Sequence, residues 1–423
     1  MDIFSAKGEY KINEAVTEAI RAKPANRGTF EKELIKIDER LNVAYSIFEG
    51  DFFKVFPVST LDYTWYAPKN IGKAISQDIK NEIMTILKKN FLGIKNGYEN
   101  ANWIQANEAV EDIKKYQLKY SSKIIPNQIL QDAEILYNKL GIFQRLFPIY
   151  LICGLVLLVM IFIKLVKPNI NFKVITKIVF SVLILAFIAH TINLGLRWYI
   201  AGHAPWSNSY EAMLYISWTI VLSGLLFSKN SNLSIATTSI FAGITMFVAH
   251  LSWLDPQITN LVPVLKSYWL TIHVSVITAS YGFLGLSAML GFISLLLFII
   301  IGFGKDERVK EQIVLNIKES VRINELSMTV GLTLLIAGNF LGGIWANESW
   351  GRYWGWDPKE TWTLVTVIVY AAIIHLRYIP KSNSVYLFNV LSLSAYSTVI
   401  MTYFGVNYYL TGLHSYATGD PIP

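Results

Sequence analysis

The distribution of hydrophobic positions divides the chain into two parts of different character. Before residue 147, apolar residues recur at three- and four-residue steps between charged positions, for example over 79–90 and 107–123. This period is typical of amphipathic α-helices. After residue 146, the apolar positions merge into long runs with few charges, and a run of about 20 such residues can cross a bilayer as a helix. The pattern therefore predicts a mostly helical polar region followed by a membrane domain.

Eight apolar runs are long enough to span a membrane, and we predict one helix from each. They cover residues 147–166, 174–195, 211–227, 233–252, 268–302, 326–345, 361–379 and 386–411. The fifth run exceeds the length that a bilayer requires, so its helix is expected to project beyond the membrane. The predicted fold is an all-α polytopic membrane protein with about eight transmembrane helices, preceded by a mostly helical extracytoplasmic domain.

The composition supports a membrane protein and excludes several other classes. Hydrophobic residues make up 53% of the chain and charged residues 16%, which is unusual for a soluble enzyme. The net charge of +7 does not predict nucleic-acid binding, because no clustered basic face with interleaved aromatic residues occurs. The single cysteine, Cys153, excludes an internal disulfide, a Cys-x-x-Cys redox pair and a cysteine-based zinc site.

Lysine and arginine positions predict the orientation of the helices. Basic residues cluster in the loops that follow the first, third, fifth and seventh runs, and the opposite loops contain few. Cytoplasmic loops carry the excess of Lys and Arg. The domain at 1–146 and the loop between the sixth and seventh runs are therefore expected on the extracytoplasmic side of the cytoplasmic membrane. Because residues 1–10 do not resemble a signal peptide, we expect the chain to be the C-terminal part of a longer polypeptide, with unconventional translocation as the alternative.

The segment 345–362 is the most unusual part of the sequence. It reads W-A-N-E-S-W-G-R-Y-W-G-W-D-P-K-E-T-W and contains five of the twelve tryptophans. Gly351, Gly355 and Pro358 interrupt regular helices, so we expect an irregular aromatic ledge. A tryptophan belt at the membrane interface is the alternative, although such belts usually supply only one or two rings for each helix end. Five rings in one loop favour an apolar platform for a large planar ligand.

Six histidines occur, and all lie in the membrane half. They are His190, His203, His250, His273, His375 and His414. His273 begins the fifth run and His414 follows the eighth, so both are expected on the same face as the ledge. Two imidazoles beside an aromatic platform can supply both axial ligands of a haem iron. His375 lies toward the opposite end of the seventh run, where its neighbour Arg377 could pair with a propionate. The alternative for each histidine is a packed, hydrogen-bonded side chain.

Five motifs in a fixed order resemble the CcsA/ResC haem-handling family of system II cytochrome c maturation. They are G-G-I-W-A-N-E-S-W-G-R-Y-W-G-W-D-P-K-E-T-W, G-H-A-P-W-S-N-S-Y-E-A, S-Y-W-L-T-I-H-V, I-I-H-L-R-Y and G-V-N-Y-Y-L-T-G-L-H-S-Y. The resemblance covers most of residues 174–418. It implies that His273 and His414 ligate the iron of haem b, and that His375 belongs to an inner haem site whose other ligand lies in a ResB/CcsB component. It also implies haem-edge contacts from Trp345, Trp350, Trp354, Trp356 and Asp357.

The same resemblance implies the domain organisation and the activity. Residues 171–423 correspond to the CcsA-like domain, whereas 1–146 and 147–170 are similar to the last extracytoplasmic region and last span of a ResB-type protein, as in fused CcsBA chains. The implied enzyme is a cytochrome c synthase of the haem lyase type, for which no catalytic residue is predicted. Its partners would be apocytochrome c, the ResB/CcsB portion, a thiol-reducing protein and the lipid bilayer. A bis-histidine electron-transfer protein, a haem exporter without ligase activity, and a proton or metal transporter remain alternatives.

Overall fold

A computed structural model describes most of the chain and divides it into two compact units, Met1–Gln131 and Asp132–Pro423. The described residues are 10–22, 27–58, 64–73, 76–121, 124–227, 231–251, 254–261, 263–303, 306–379, 383–410 and 412. The assignment of 1–146 and 147–170 to ResB-like regions stays a prediction.

The first unit is mostly helical. Its helices are α1 Asn13–Arg21, α2 Thr29–Phe48, α3 Gln77–Asn100 and α4 Ile104–Ser121, with a short 3-10 helix at Pro68–Lys73. A two-stranded antiparallel sheet pairs β1 Phe56–Pro57 with β2 Trp65–Tyr66. Tyr116 of α4 joins helix and sheet, because its hydroxyl donates a hydrogen bond to the Pro57 carbonyl over 2.9 Å. Burial raises the pKa of Tyr116 above its ordinary value, as expected for a phenol packed against Phe56 and Ile83.

The second unit is a helical bundle. α5 Gln128–Leu140 begins at the end of the first unit and continues into the second. The further elements of the second unit are α6 Ile142–Val166, α7 Lys173–Ala201, α8 Ser209–Phe227, α9 Asn232–Ala249, a 3-10 turn at Pro263–Leu265, α10 Tyr268–Phe303, α11 Glu307–Trp350, α12 Pro358–Leu376, α13 Val385–Ile400, a π-helical turn Met401–Gly405 and α14 Val406–Tyr409. Eight helices among the described residues are long and apolar enough to cross a membrane. The predicted all-α membrane fold with about eight spans is therefore confirmed.

The bounds of the sixth spanning helix differ most from the prediction. Hydropathy suggested residues 326–345, whereas α11 begins at Glu307 and ends at Trp350. Asp306 caps its first turn by accepting a hydrogen bond from the Arg308 amide. The charged residues that follow are compatible with a helix but not with lipid, so a hydropathy window detects only the apolar middle of α11.

The two central helices bury many hydroxyl groups. In the apolar stretch of each helix, 67% of the residues of α8 and 72% of those of α9 are buried inside the bundle. In α9, the hydroxyls of Thr237, Thr238 and Ser239 each donate a hydrogen bond to a carbonyl one turn earlier in the same helix. Such local bonds satisfy a polar group where no water is present. The small side chains also let neighbouring helices approach closely.

Candidate functional site

The tryptophan-rich segment is helical at both ends and irregular only in its middle. α11 continues through Trp345 and Trp350, and α12 begins at Pro358. Gly351 ends α11 in the left-handed conformation with φ 71°, which glycine adopts without a steric penalty. The prediction of irregular backbone over 345–350 was therefore wrong. Gly351 follows residues 345–350, all six of which are helical, so this glycine only sets the end of α11.

The tryptophan rings form edge-to-face pairs. Trp345 and Trp350 have ring centroids 4.7 Å apart at 64°, and Trp354 and Trp356 are 5.7 Å apart at 89°. Trp345 is completely buried, whereas Trp356 is 70% exposed. Trp356 also has φ 55°, a left-handed conformation that a bulky side chain rarely adopts. The connecting residues 351–357 thus hold one large apolar ring outward at this end of the bundle.

Asp357 and Glu360 hold the start of α12 in a reciprocal capping box. The Asp357 carboxylate accepts a hydrogen bond from the Lys359 amide over 3.0 Å. The Glu360 carboxylate accepts from the amides of Gly355 and Asp357 over 2.8 and 3.2 Å. Amides at a helix start have no partner within the helix, and the two carboxylates supply acceptors for them. In the structure, both carboxylates therefore have a backbone-capping role.

His273 lies in the first turns of α10 and packs against two glycines of α11. Its Nδ1 is 2.7 Å from the Gly338 carbonyl oxygen, and a carbonyl can only accept, so Nδ1 carries the proton. Nε2 is then the nitrogen with the lone pair, which is the form that ligates a metal. A Cβ at Gly342 would come within 2.5 Å of the His273 Cε1 atom. The ring therefore needs glycine at this position.

His375 lies far from His273, near the other end of α12. Its Nδ1 is 2.7 Å from the Ala371 carbonyl oxygen of the preceding turn, and its side chain is exposed on the bundle surface. The 18 residues from Asp357 to His375 correspond to about 27 Å of helix. Arg377, the predicted propionate partner, forms an ion pair with Glu325 of α11. Glu325 was not anticipated from the sequence.

His414 and Thr411 lie outside the described residues, whereas Gly412 between them is described. The backbone of Gly412 lies against the Asp357 carboxylate and the Pro358 ring, so closely that a Cβ there would overlap Asp357 Oδ2. Five residues earlier, Asn407 Oδ1 accepts a hydrogen bond from Lys359 Nζ over 3.0 Å. The end of α14 is thus attached to the start of α12.

The other three histidines have separate local partners. His190 is buried in α7, 3.3 Å from the Tyr150 hydroxyl. His250, which follows α9, has Nδ1 2.6 Å from the Met246 carbonyl oxygen. His203 lies in the loop after α7, with Nε2 3.1 Å from the Thr259 carbonyl oxygen. Their packing does not suggest that they act together.

A buried ion pair near the same end of the bundle was missed by sequence reasoning. Arg197 and Glu211 are 2.8 Å apart, with side chains 0% and 1% exposed. Arg197 also donates to the Tyr137 hydroxyl and to the carbonyls of Pro256 and Gln257. The sequence did contain one indication of this pair. Arg197 follows the second apolar run and Glu211 begins the third, so two opposite charges flank the same loop. Arg197 thereby connects α7 with α8, α5 and the loop at residues 256–257.

Comparison with known proteins identifies the family. Residues 206–414 match the family model of Cytochrome C assembly protein. The chain is 37% identical to the cytochrome c biogenesis protein CcsA of Guillardia theta over 254 residues, covering 55% of this chain and 83% of that relative. The chain belongs to the CcsA family of cytochrome c biogenesis proteins. CcsA of Prochlorococcus marinus subsp. pastoris is 35% identical over 260 residues, which cover 56% of this chain and 81% of the relative.

A longer relative matches this CcsA-family chain from end to end. Protein NrfI of Wolinella succinogenes is 45% identical over 430 residues, which cover 100% of this chain but only 46% of NrfI. The chain therefore spans about half the length of that relative. The matched family region contains His273, His375 and the whole tryptophan-rich segment.

Proposed function

We propose that this chain carries haem across the membrane and presents it for covalent attachment to apocytochrome c. Membership of the CcsA family gives the general role in cytochrome c biogenesis. The observation that carries the finer proposal is the geometry of His273. Its proton is held on Nδ1 by the Gly338 carbonyl, at the end of the bundle where residues 351–357 expose Trp356. An imidazole held in one orientation, at the same end of the bundle as an exposed indole, is suited to haem iron and to the haem edge.

His414 is proposed as the second axial ligand. Its position is not described, but Gly412 lies two residues earlier against Asp357 and Pro358. Gly412 is thus adjacent to the residues that connect Trp356 with α12. Trp350, Trp354 and Trp356 would contact the haem edge, and Asp357 would act by holding the start of α12. Trp345 is buried, so its contribution would be to support Trp350.

Haem is a substrate in this proposal, and we expect haem b. The chain has one cysteine, which is buried, so it cannot itself form the two thioether bonds of a c-type haem. In the attachment step, each thiol of a client Cys-x-x-Cys-His motif adds across one vinyl group. A carbon–sulfur bond forms and the thiol proton goes to the other vinyl carbon, so the net addition needs no oxidant. The motif histidine then replaces one of the two axial histidines.

His375 is proposed to mark the site where haem enters. It is exposed on the bundle surface, which suits a haem held between this chain and a helix of another component. The basic loops after the first, third, fifth and seventh spans favour a cytoplasmic location for that end. The partner would be the ResB/CcsB portion, and 1–146 with 147–170 would be the end of such a portion. A thiol-reducing protein would keep the client cysteines available.

An attachment assay tests the proposal. The full chain is expressed with a ResB/CcsB partner and a Cys-x-x-Cys-His apocytochrome, and covalent haem is stained after denaturing electrophoresis. We expect a stained client, and none when both client cysteines are replaced by serine. Haem that stays on the membrane protein without transfer would instead indicate an electron-transfer protein. Haem that appears outside the membrane but remains unattached would indicate an exporter without ligase activity.

A further inference from the structure

A cavity of about 480 Å³ lies between the end of α7 and the start of α10. Its volume falls within the range of small-molecule sites in proteins. Trp198 and Tyr268 provide aromatic walls, and Lys266 contributes a charged side chain. The cavity brings together two segments that are distant in the sequence, 198–204 and 260–271. None of its lining residues has a role in the haem proposal, so the cavity calls for a ligand of its own.

Contacts between loops hold the walls of this cavity in place. The Trp206 ring Nε1 donates a hydrogen bond to the Thr271 carbonyl over 3.1 Å, which fixes the start of α10 against the loop after α7. Trp206 also packs edge-to-face on Trp198, with ring centroids 5.4 Å apart. In addition, Arg197 donates to the two carbonyls at 256–257, just before the lining segment begins. The walls are therefore ordered before a ligand binds, which lowers the entropic cost of binding.

The cavity carries a positive charge that no acid of its own lining balances. Lys266 is exposed and forms no ion pair with another residue that the structure describes. Among the described residues, no aspartate or glutamate lines the cavity, whereas Asn260 and Ser267 add neutral polar groups. The first amides of α10 lie at the same edge and contribute a positive partial charge. A complementary ligand therefore has negatively charged oxygen acceptors, as a phosphate group does.

The position of the cavity favours a phosphate that belongs to a lipid. It lies where two apolar helices of spanning length end, and Trp198 and Tyr268 are of the residue types enriched at the level of lipid headgroups. From Trp198, α7 continues with an exposed apolar face that includes Ile184 and Ile188, and only 17% of its apolar stretch is buried. Acyl chains can cover that face. We propose that the cavity binds the headgroup of an anionic phospholipid, with Lys266 as the counter-ion of its phosphate.

This lipid site is separate from the proposed haem site. Thr271 lines the cavity, and His273 follows it by two positions in α10, so their side chains point about 200° apart around the helix axis. His273 packs against α11 through the Gly338 carbonyl, whereas the Thr271 carbonyl accepts from Trp206 in the loop before α8. Changes in the cavity should therefore leave the haem spectrum unaltered.

Native mass spectrometry of the purified full chain tests the proposal, with phosphatidylglycerol as the anionic probe and phosphatidylcholine as the zwitterionic one. We expect a one-to-one adduct that forms more tightly with phosphatidylglycerol. Lys266→Gln should weaken this adduct about tenfold, the scale of one charge-assisted hydrogen bond. Trp198→Ala should weaken binding of both lipids, because it removes a wall of the cavity. Lys139→Gln removes an exposed lysine in the last turn of α5 and serves as the matched control, with wild-type binding.

The outcomes distinguish a lipid from other occupants. Equal affinity for phosphatidylglycerol in the wild type, Lys266→Gln and Lys266→Glu would overturn the proposal. Displacement of the lipid by an equal concentration of inorganic phosphate would also overturn it, because the occupant would then be a free anion. Lys266 is exposed, so its variants test the site even if Trp198→Ala does not fold, and the reversed charge of Lys266→Glu should abolish the preference for phosphatidylglycerol. Loss of haem from Lys266→Gln would show that the cavity belongs to the haem site instead.

Discussion

Replacing Gly342 with alanine should release His273 from the orientation that ligates iron. The added Cβ would lie 2.5 Å from His273 Cε1 and 2.7 Å from Nδ1, which is well inside van der Waals contact. Gly342 is in the interior of α11 and His273 in α10, so neither backbone can move independently of its helix. The imidazole must rotate, and the Nδ1 hydrogen bond to the Gly338 carbonyl is lost.

Two opposing contributions determine the effect of Gly342→Ala on stability. Alanine favours a helix interior over glycine by about 0.5–1 kcal/mol, whereas overpacking a filled interface costs about 1–3 kcal/mol. The balance is a modest loss of stability. The effect on haem should be larger, because removing the hydrogen bond that orients a ligating histidine typically weakens metal binding about 10–100-fold.

Haem titration followed by optical spectroscopy measures this effect, and Gly195→Ala is the matched control. Gly195 is also a glycine in a transmembrane helix, but a Cβ there would meet nothing within 4 Å. Gly195→Ala should therefore gain the helix preference without any change in haem affinity. Haem binding at wild-type affinity by Gly342→Ala, with an unchanged spectrum, would refute the packing of His273 against Gly342 as a determinant of ligation.

Two further predictions concern stability. Arg197→Met leaves Glu211 buried without its cation, so the full chain should lose about 3–5 kcal/mol of stability, measured by thermal unfolding in detergent. An unfolding temperature equal to that of the wild type would show that the pair is not buried as described. Tyr116→Phe removes the hydroxyl that donates a hydrogen bond to the Pro57 carbonyl. It should lower the free energy of unfolding by about 1 kcal/mol, which is measured as faster amide hydrogen exchange in α4. Unchanged exchange there would contradict the helix–sheet connection.

The sequence was sufficient for features that depend on local pattern. Long apolar runs specify spanning helices, so the number of spans could be predicted. The order Asp357–Pro358–Lys359–Glu360, just before an apolar run, is likewise typical of a helix start, and the structure has a capping box there. Hydropathy could not locate the ends of α11, because helix formation continues where the chain leaves the apolar layer.

Contacts between distant segments could not be predicted from the pattern. Arg197 and Glu211 are separated by a loop, and their pairing depends on how α7 and α8 meet. His273 and Gly342 are 69 positions apart, and nothing local indicates that the ring packs on that glycine. The partner of Lys359 depends on the π turn after α13, a one-residue insertion with no evident signature in an apolar helix. Tertiary packing therefore determines these features.

The central claim is that His273 and His414 provide the two axial ligands of haem iron. The most direct measurement is the haem content and spectrum of His273→Ala and His414→Ala, purified with and without imidazole, with His203→Ala as control. We predict that both variants lose most of their haem without imidazole and regain it with imidazole, which refills the vacated ligand position, while His203→Ala behaves as wild type. Normal haem content and an unchanged spectrum in both ligand variants, without imidazole, would contradict the account.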